Sequence, residues 1–152
     1  YLVAGDGDDR ERLEAKAHAL GLGSHVVFAG FVKESEKADH FRLADVFAMP
    51  GRGEGFGFVF LEALACGMPA VGSAIDGSRE ALSDGALGEL VDPRDPVSVR
   101  NGIQRALQKP VGIPPALAHY GWPAFTGRLE VAVDSVLAQR AASRLANLSV
   151  GP

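Results

Sequence analysis

The 152 residues include a single cysteine, Cys66, so no intramolecular disulfide framework can staple this chain. That scarcity fits a reducing compartment. No apolar run approaches the ~18 residues needed to span a bilayer. The longest candidate, Val59 to Cys66, is interrupted by Glu62. There is no basic excess either: the formal net charge of -4 argues against a nucleic-acid binder that lives on bulk phosphate attraction. Internal repeats, low-complexity tracts and a signal peptide are not seen. The chain opens at Tyr1 directly into a strand-like run, which reads as the cut end of something longer.

What is present is an ordinary globular composition, 47% hydrophobic and 22% charged, with a length that suits one domain and one sizeable core. Nineteen glycines are many, and they imply tight turns and places where backbone approaches something closely.

Short apolar runs alternate with helical patterns. Tyr1 to Ala4 reads as a strand, closed by the turn Gly5-Asp6-Gly7, and a helix is predicted over Asp8 to Leu20 with Leu13, Ala17 and Leu20 on one face. His25 to Ala29 is a second strand, Glu34 to Leu43 a short surface helix, and Asp45 to Met49 a third strand ended by Pro50. A glycine-dense loop, Gly51 to Gly57, runs into a helix from Phe58 to Cys66, which Gly67 and Pro69 stop. Pro69 to Gly72 and Gly88 to Val91 read as strands on either side of a short helix, Asp76 to Leu82. Asp95-Pro96 marks a capped helix start, with Val99, Ile103 and Leu107 facing inward. After the proline-rich connector Lys109 to Pro115, a long helix is predicted from Trp122 to Leu145, striped by Leu129, Val133, Val136 and Leu137, and a tail over 147–152. The rhythm is that of a doubly wound α/β fold: three layers around a Rossmann-like parallel sheet of five or six strands, residues 1–146 forming the domain.

In open parallel sheets ligands bind at the carboxyl ends of the strands. Three loops are unusual there: Gly5 to Gly7, Gly51 to Gly57, and Asp76 to Glu80. The second is the most informative. A helix start presents free N–H groups and the positive end of the helix dipole, a ready phosphate site. Glu54 lies in the loop and Glu62 eight residues on, within the helix. A carboxylate only accepts hydrogen bonds, and its two oxygens suit neighbouring hydroxyls. Carboxylates on both sides of an anion site match a ligand built as sugar, diphosphate and ribose. On spacing alone, a solvated helix position for Glu62 and a loop charge for Glu54 stay open.

The block Glu54-Gly-Phe-Gly-Phe-Val-Phe-Leu-Glu62-Ala-Leu-Ala-Cys-Gly67-Met-Pro69 closely resembles the Glu-x7-Glu signature of family 4 glycosyltransferases, retaining enzymes of GT-B fold. Around it, Val3 to Gly7, Val27 to Val32, Ala44-Asp45-Val46, Gly77 to Glu80 and Gly88 to Val91 are similar to the family's segments in matching order, over roughly Tyr1 to Leu107. The resemblance implies the C-terminal, donor-binding half of such an enzyme. Glu54, the one residue given a catalytic part, would meet hydroxyls of the donor sugar. Backbone around Phe56, Gly57, Phe58 and Val59 would hold the sugar or diphosphate, and Glu62 would accept from the ribose. Phe31 and Val32 would border the base, with Gly5 and Gly7 shaping the adjoining turn. The implied reaction is metal-independent displacement with retention, without a protein nucleophile or cofactor, moving a hexose from a UDP- or GDP-sugar to a glycan or lipid-linked acceptor. Relatives add an Arg and a Lys from a segment upstream of the first strand, and an N-terminal acceptor domain. Neither is in these residues, so the chain by itself is expected to bind rather than turn over. Asp76 stands where many relatives have glycine.

Other readings carry less. A binding or regulatory module without turnover is the alternative. Gly5 to Arg10 lacks the third glycine of a dinucleotide fingerprint, and a nucleotide-sugar epimerase would need that fingerprint and a Tyr-x3-Lys pair. Asp6-Gly-Asp8 mimics a metal motif but reads as an acidic helix start. His18, His25, His40 and His119 have no metal-ligand spacing. Arg52 reads as a solvated loop charge, Cys66 as a small core residue and Trp122 as a packing anchor. The expected location is the cytoplasm. Peripheral contact with the inner membrane face is left open, although no amphipathic basic stripe supports it.

Overall fold

The polypeptide alternates strand and helix as its apolar pattern dictates. The computed structural model of the chain describes residues 1–148, with side chains as far as residue 142. The order is β1 (Leu2–Ala4), α1 (Arg10–Ala19), β2 (Val27–Gly30), α2 (Glu34–Arg42), β3 (Phe47–Ala48), α3 (Phe58–Ala65), β4 (Ala70–Ser73), α4 (Ser78–Ala81), β5 (Glu89–Val91), α5 (Pro96–Ala106) and α6 (Trp122–Leu148). Short 3₁₀ turns cover Ser83–Gly85 and Pro115–Tyr120, the second within a stretch not predicted to be helical. Two units are separable, Tyr1–Pro114 and the residues from Pro115 on.

In the first unit every strand pair is parallel, but the single sheet predicted from sequence is two: β1 with β2, and β3-β4-β5. The physical reason is local. No ladder joins β1 to β3, and both strands instead line a cavity of about 1290 Å³.

The three-layer arrangement is complete around β4. Successive strand residues point to opposite faces. Val71 packs with Val91 and Ala106, and Val99 and Ile103 of α5 close over that cluster. Its neighbour Gly72 faces the other way, where a side chain would collide with Leu82, Ser78 and Phe60 of the α3–α4 layer. Phe60, fully buried, stacks edge-on against Phe47 with ring centroids 5.5 Å apart. The Asp95 carboxylate caps α5 by accepting from the Val97 N–H at 2.9 Å, as its position before Pro96 predicts.

The half around β1 and β2 differs from expectation. Leu13 and Leu20 of the predicted inward face of α1 are 38% and 62% exposed, because nothing in the described residues covers them. Leu107, expected inward, lines the cavity and is half exposed. Cys66 is only partly buried. In the second unit α6 runs through Leu148, so the predicted tail begins later and its residues 149–152 lie outside the described ones. The predicted stripe of Leu129, Val133, Val136 and Leu137 is about half exposed, and Trp122 is 74% exposed, its ring touching Phe125 rather than anchoring a core.

Candidate functional site

The glycine-dense loop ends in a residue that only glycine serves well. Gly57 sits at φ +90°, in the left-handed region, and a Cβ there would meet the Phe60 ring at 2.5 Å. This turn launches α3 with no side-chain cap. The Phe60 N–H returns to the Gly57 carbonyl, while the Phe58 and Val59 N–H groups have no hydrogen-bond partner among the described residues. Free N–H groups at a helix start are what an anionic oxygen needs.

Glu54 lies over this start. Its Cγ is 3.1 Å from where a Gly57 Cβ would be, and its Oε1 accepts weakly from the Phe56 N–H at 3.4 Å. The Phe56 and Phe58 rings lie 5.0 Å apart beside it, Phe58 largely exposed. Gly5, Phe31, Val32, Val59 and Glu62 come together as lining of the cavity between β1 and β3, whereas Gly7, Glu54, Phe56, Gly57 and Phe58 do not line it. Gly7 instead supports the start of α1, its carbonyl accepting from the Arg10 N–H at 3.1 Å. Phe31 is 80% exposed, a free apolar ring at the cavity edge.

Two residues acquire roles that sequence reasoning missed. Lys37 of α2 donates to Glu62 at 3.1 Å and to Glu34 at 2.8 Å, and its Nζ is the cation nearest the second carboxylate. The hydrogen bond to Glu34, and then that to Glu62, raises the Lys37 ammonium above its ordinary value and keeps it charged. The Glu34-x-x-Lys37 spacing was legible as a helix pair, but nothing in sequence links Lys37 to Glu62.

Asp76 is the second. One oxygen accepts from the Gly53 and Glu54 N–H groups at 3.2 and 3.3 Å, the other from the Ser78 N–H at 3.0 Å. The Gly77 N–H in turn donates to the Glu54 carbonyl at 2.9 Å. Gly77 is crowded enough that a Cβ would lie 2.1 Å from the Gly55 carbonyl oxygen. The Asp76–Gly77 corner therefore clamps the Gly51–Gly57 loop from the far side. Burial alone would raise the Asp76 carboxyl; the nearby Ser78 hydroxyl and the Ser78, Gly53 and Glu54 N–H groups outweigh it and hold the group below its ordinary range. The Ser78 hydroxyl acts there by proximity, since it is buried and makes no hydrogen bond of good geometry. In sequence Asp76 opens one of the three unusual loops and departs from the family's glycine, but nothing there links it to Gly53 or Glu54. Arg52 is exposed and forms no ion pair among the described residues. The same residues contain no cluster of three or more His, Cys, Asp or Glu able to hold a metal, and no helix long and apolar enough to cross a membrane.

Known proteins resemble this chain in sequence and in fold. The model of the family described as "Glycosyl transferases group 1" matches residues 1–120. A GDP-mannose-dependent alpha-(1-6)-phosphatidylinositol monomannoside mannosyltransferase of Mycolicibacterium smegmatis is 38% identical over 115 residues, 71% of this chain and 30% of that protein. Among solved structures, sucrose-phosphate synthase from Thermosynechococcus elongatus superposes with a TM-score of 0.68 at 28% identity, over 91% of this chain and 38% of that one. Anabaena Alr3699/HepE in complex with UDP-glucose does so with a TM-score of 0.63 at 27% identity, over 70% of this chain and 30% of that one. The chain thus spans about a third of the length of such relatives, and the parallel α/β architecture is that of GT-B glycosyltransferases. With the match running through both carboxylates and the loop between them, the chain belongs to the glycosyl transferases group 1 family.

Proposed function

We propose that this chain forms the donor-binding lobe of a retaining, metal-independent glycosyltransferase, which moves a hexose from a UDP- or GDP-sugar to a glycan or lipid-linked acceptor. The observation that carries the reading is the start of α3: unclaimed Phe58 and Val59 N–H groups, with Glu54 over them and Glu62 farther along the same helix. The diphosphate sits on those N–H groups, where the helix dipole adds to the attraction. Glu62 accepts from the ribose hydroxyls, its charge partly balanced by Lys37. Glu54 turns from its own loop to the hydroxyls of the sugar. The base lies along Phe31 and Val32, above the Gly5 turn.

This arrangement favours bond breaking rather than attack. As the bond from the sugar to the diphosphate cleaves, negative charge grows on the leaving oxygen. Preoriented N–H groups stabilise it more in the transition state than in the bound donor. With no side chain assigned as a nucleophile, the retaining reading has the acceptor oxygen bond on the face that the diphosphate leaves. Acceptor binding and turnover belong to the whole protein, of which this lobe supplies the donor half. The relatives support a nucleotide-diphosphate sugar and leave the base open: one is GDP-mannose-dependent, another was solved with UDP-glucose.

The test is calorimetric titration of the chain with UDP-glucose, GDP-mannose and the corresponding diphosphates, beside a Glu62→Ala variant. Binding of one nucleotide series, weakened in the variant, is expected. Equal binding by the variant would remove the ribose role from Glu62.

A further inference from the structure

We propose that the ring of Phe58, backed by that of Phe56, is a stacking platform for the pyranose ring of the donor sugar. The inference rests on the donor reading of the α3 start. It adds the apolar half of the sugar's contacts, for which that reading names no partner.

The place of Phe58 on its helix comes first. α3 buries Phe60, Ala63 and Leu64 at 0%, 0% and 1% exposure, and these residues form its core face. Phe58, the first residue of the helix, stands off that face and is 71% exposed. The helix itself does not call for a ring there. Its first turn favours proline and acidic side chains, and alanine is a better helix former than phenylalanine. Neither core packing nor helix propensity accounts for an aromatic ring left in water at this position.

The direction of the ring follows from helix geometry. Long side chains of a helix lean back over the turn that precedes them. For Phe58 that turn is the end of the Gly51–Gly57 loop, and its ring centroid lies 5.0 Å from that of Phe56. The Phe56 N–H donates to Glu54 Oε1 at 3.4 Å, which ties the pair to the carboxylate assigned to the sugar hydroxyls. Phe31, Val32, Val59 and Glu62 line the cavity on the base and ribose side, and neither ring of the pair does. The aromatic pair thus stands at the sugar end of the donor, with the Phe58 and Val59 N–H groups between the two ends.

A pyranose presents two kinds of surface: hydroxyls around its rim and apolar C–H patches on its faces. A carboxylate beside an exposed aromatic ring offers a partner to each. Glu54 accepts from the hydroxyls, and the negative face of the ring attracts the slightly positive C–H groups. The two ring planes are 54° apart, so Phe56 supports Phe58 without covering it as a parallel stack would. Neither the diphosphate nor the ribose needs such a surface. Phe58 therefore serves the donor twice: its N–H faces the diphosphate and its ring faces the sugar.

Those two contributions are separable by substitution. Phe58→Ala keeps the N–H and removes a largely exposed ring rather than a core one. In calorimetric titrations of the 152-residue chain, this variant should bind UDP-glucose or GDP-mannose, whichever the wild type takes, about three- to tenfold more weakly. The bare diphosphate of the same base should lose less than about twofold, since its contacts are main-chain. Phe58→Tyr, which keeps the ring, should restore wild-type affinity for the nucleotide sugar. In proton NMR the ring current should move the hexose C–H signals upfield on binding, and Phe58→Leu should abolish that movement. The proposal is overturned if Phe58→Ala leaves the nucleotide sugar unaffected, if it weakens sugar and bare diphosphate equally, which would give the ring a part in shaping the loop only, or if the upfield movement persists in Phe58→Leu. It is also overturned if methyl α-glucopyranoside, added to the UDP-saturated chain, shows a Phe58-dependent upfield movement that UDP-glucose lacks, which would assign the platform to the acceptor. Failure of the wild type to bind either diphosphate or either nucleotide sugar would instead sink the donor reading, and this inference with it.

Discussion

Replacing Asp76 by alanine removes three acceptor contacts at once, those to Gly53, Glu54 and Ser78 at 3.2, 3.3 and 3.0 Å. Hydrogen bonds to a charged group reach ~1.5–3 kcal/mol when short and buried, but these are long and the carboxylate is partly solvated, so about 0.5–1 kcal/mol each is the appropriate scale. The clamp then contributes about 2 kcal/mol to ordering the Gly51–Gly57 loop, or roughly a 30-fold change in its ordered fraction. A donor that needs the ordered loop loses affinity by up to that factor. Asp76→Asn keeps one acceptor oxygen, serving either Ser78 or the Gly53–Glu54 pair but not both, and should fall between. The assay is calorimetric titration with UDP-glucose and GDP-mannose at pH 7, paired with amide exchange at Gly53 and Glu54. Acid should mimic the substitution. The folded-state carboxyl lies below its ordinary value of 3.8, so its contribution is complete above about pH 4 and is lost as pH falls through the lowered value. Wild-type affinity in Asp76→Ala, with Gly53 and Glu54 amides exchanging at wild-type rates, would refute the clamp.

Three further outcomes are expected. Glu62→Ala should weaken a ribonucleotide diphosphate about 10- to 100-fold and leave its dideoxy counterpart unaffected, because only hydroxyls donate to the lost carboxylate; equal losses for both would assign Glu62 a structural part. Gly57→Ala forces a side chain into φ +90° and against the fully buried Phe60 ring at 2.5 Å, so urea unfolding should show a loss of about 3 kcal/mol or more, and a loss below about 1 kcal/mol would mean that the turn relaxes freely. Glu89 accepts from Lys109 and Arg105, both at 2.8 Å, and Lys109 first, then Arg105, hold its carboxyl below the ordinary range. Glu89→Gln should cost about 1 kcal/mol at pH 7, a difference that shrinks as pH falls below about 4 because the wild-type group is then protonated, and a pH-independent difference would contradict the ion-pair account.

How much was legible in sequence follows from what sequence encodes locally. Strand and helix alternation, the Gly57 launch of α3 and the Asp95 cap depend on a few neighbouring residues, and each lies where the pattern puts it. Boundaries shifted by up to three residues, since frayed ends are set by packing rather than by propensity. What was not legible is contact at a distance. The Leu13–Leu20 face of α1 shows which side seeks cover, but not whether a covering layer is at hand. The division of the sheet depends on which strand edges pair, and no residue of β1 or β3 announces that no ladder joins them among the described residues. Lys37 reaches Glu62 across 25 positions of chain, and Asp76 reaches Gly53 across 23, separations that only the folded path brings together. Both candidate carboxylates stand out in sequence because the glycine loop and helix start around them carry their own signal. Their charge partner and their clamp carry none.

The central claim is that the start of α3 holds the diphosphate of a nucleotide sugar. Its most direct test is an amide-resolved NMR titration of the chain with UDP-glucose and GDP-mannose, repeated on Glu62→Ala. The account predicts saturable shifts centred on Phe56 to Glu62, extending to Phe31 and Val32, with the strongest downfield movement at the Phe58 and Val59 N–H groups and weaker saturation in the variant. Saturable binding that leaves Phe58 and Val59 unmoved, or titration of neither nucleotide sugar, would contradict it.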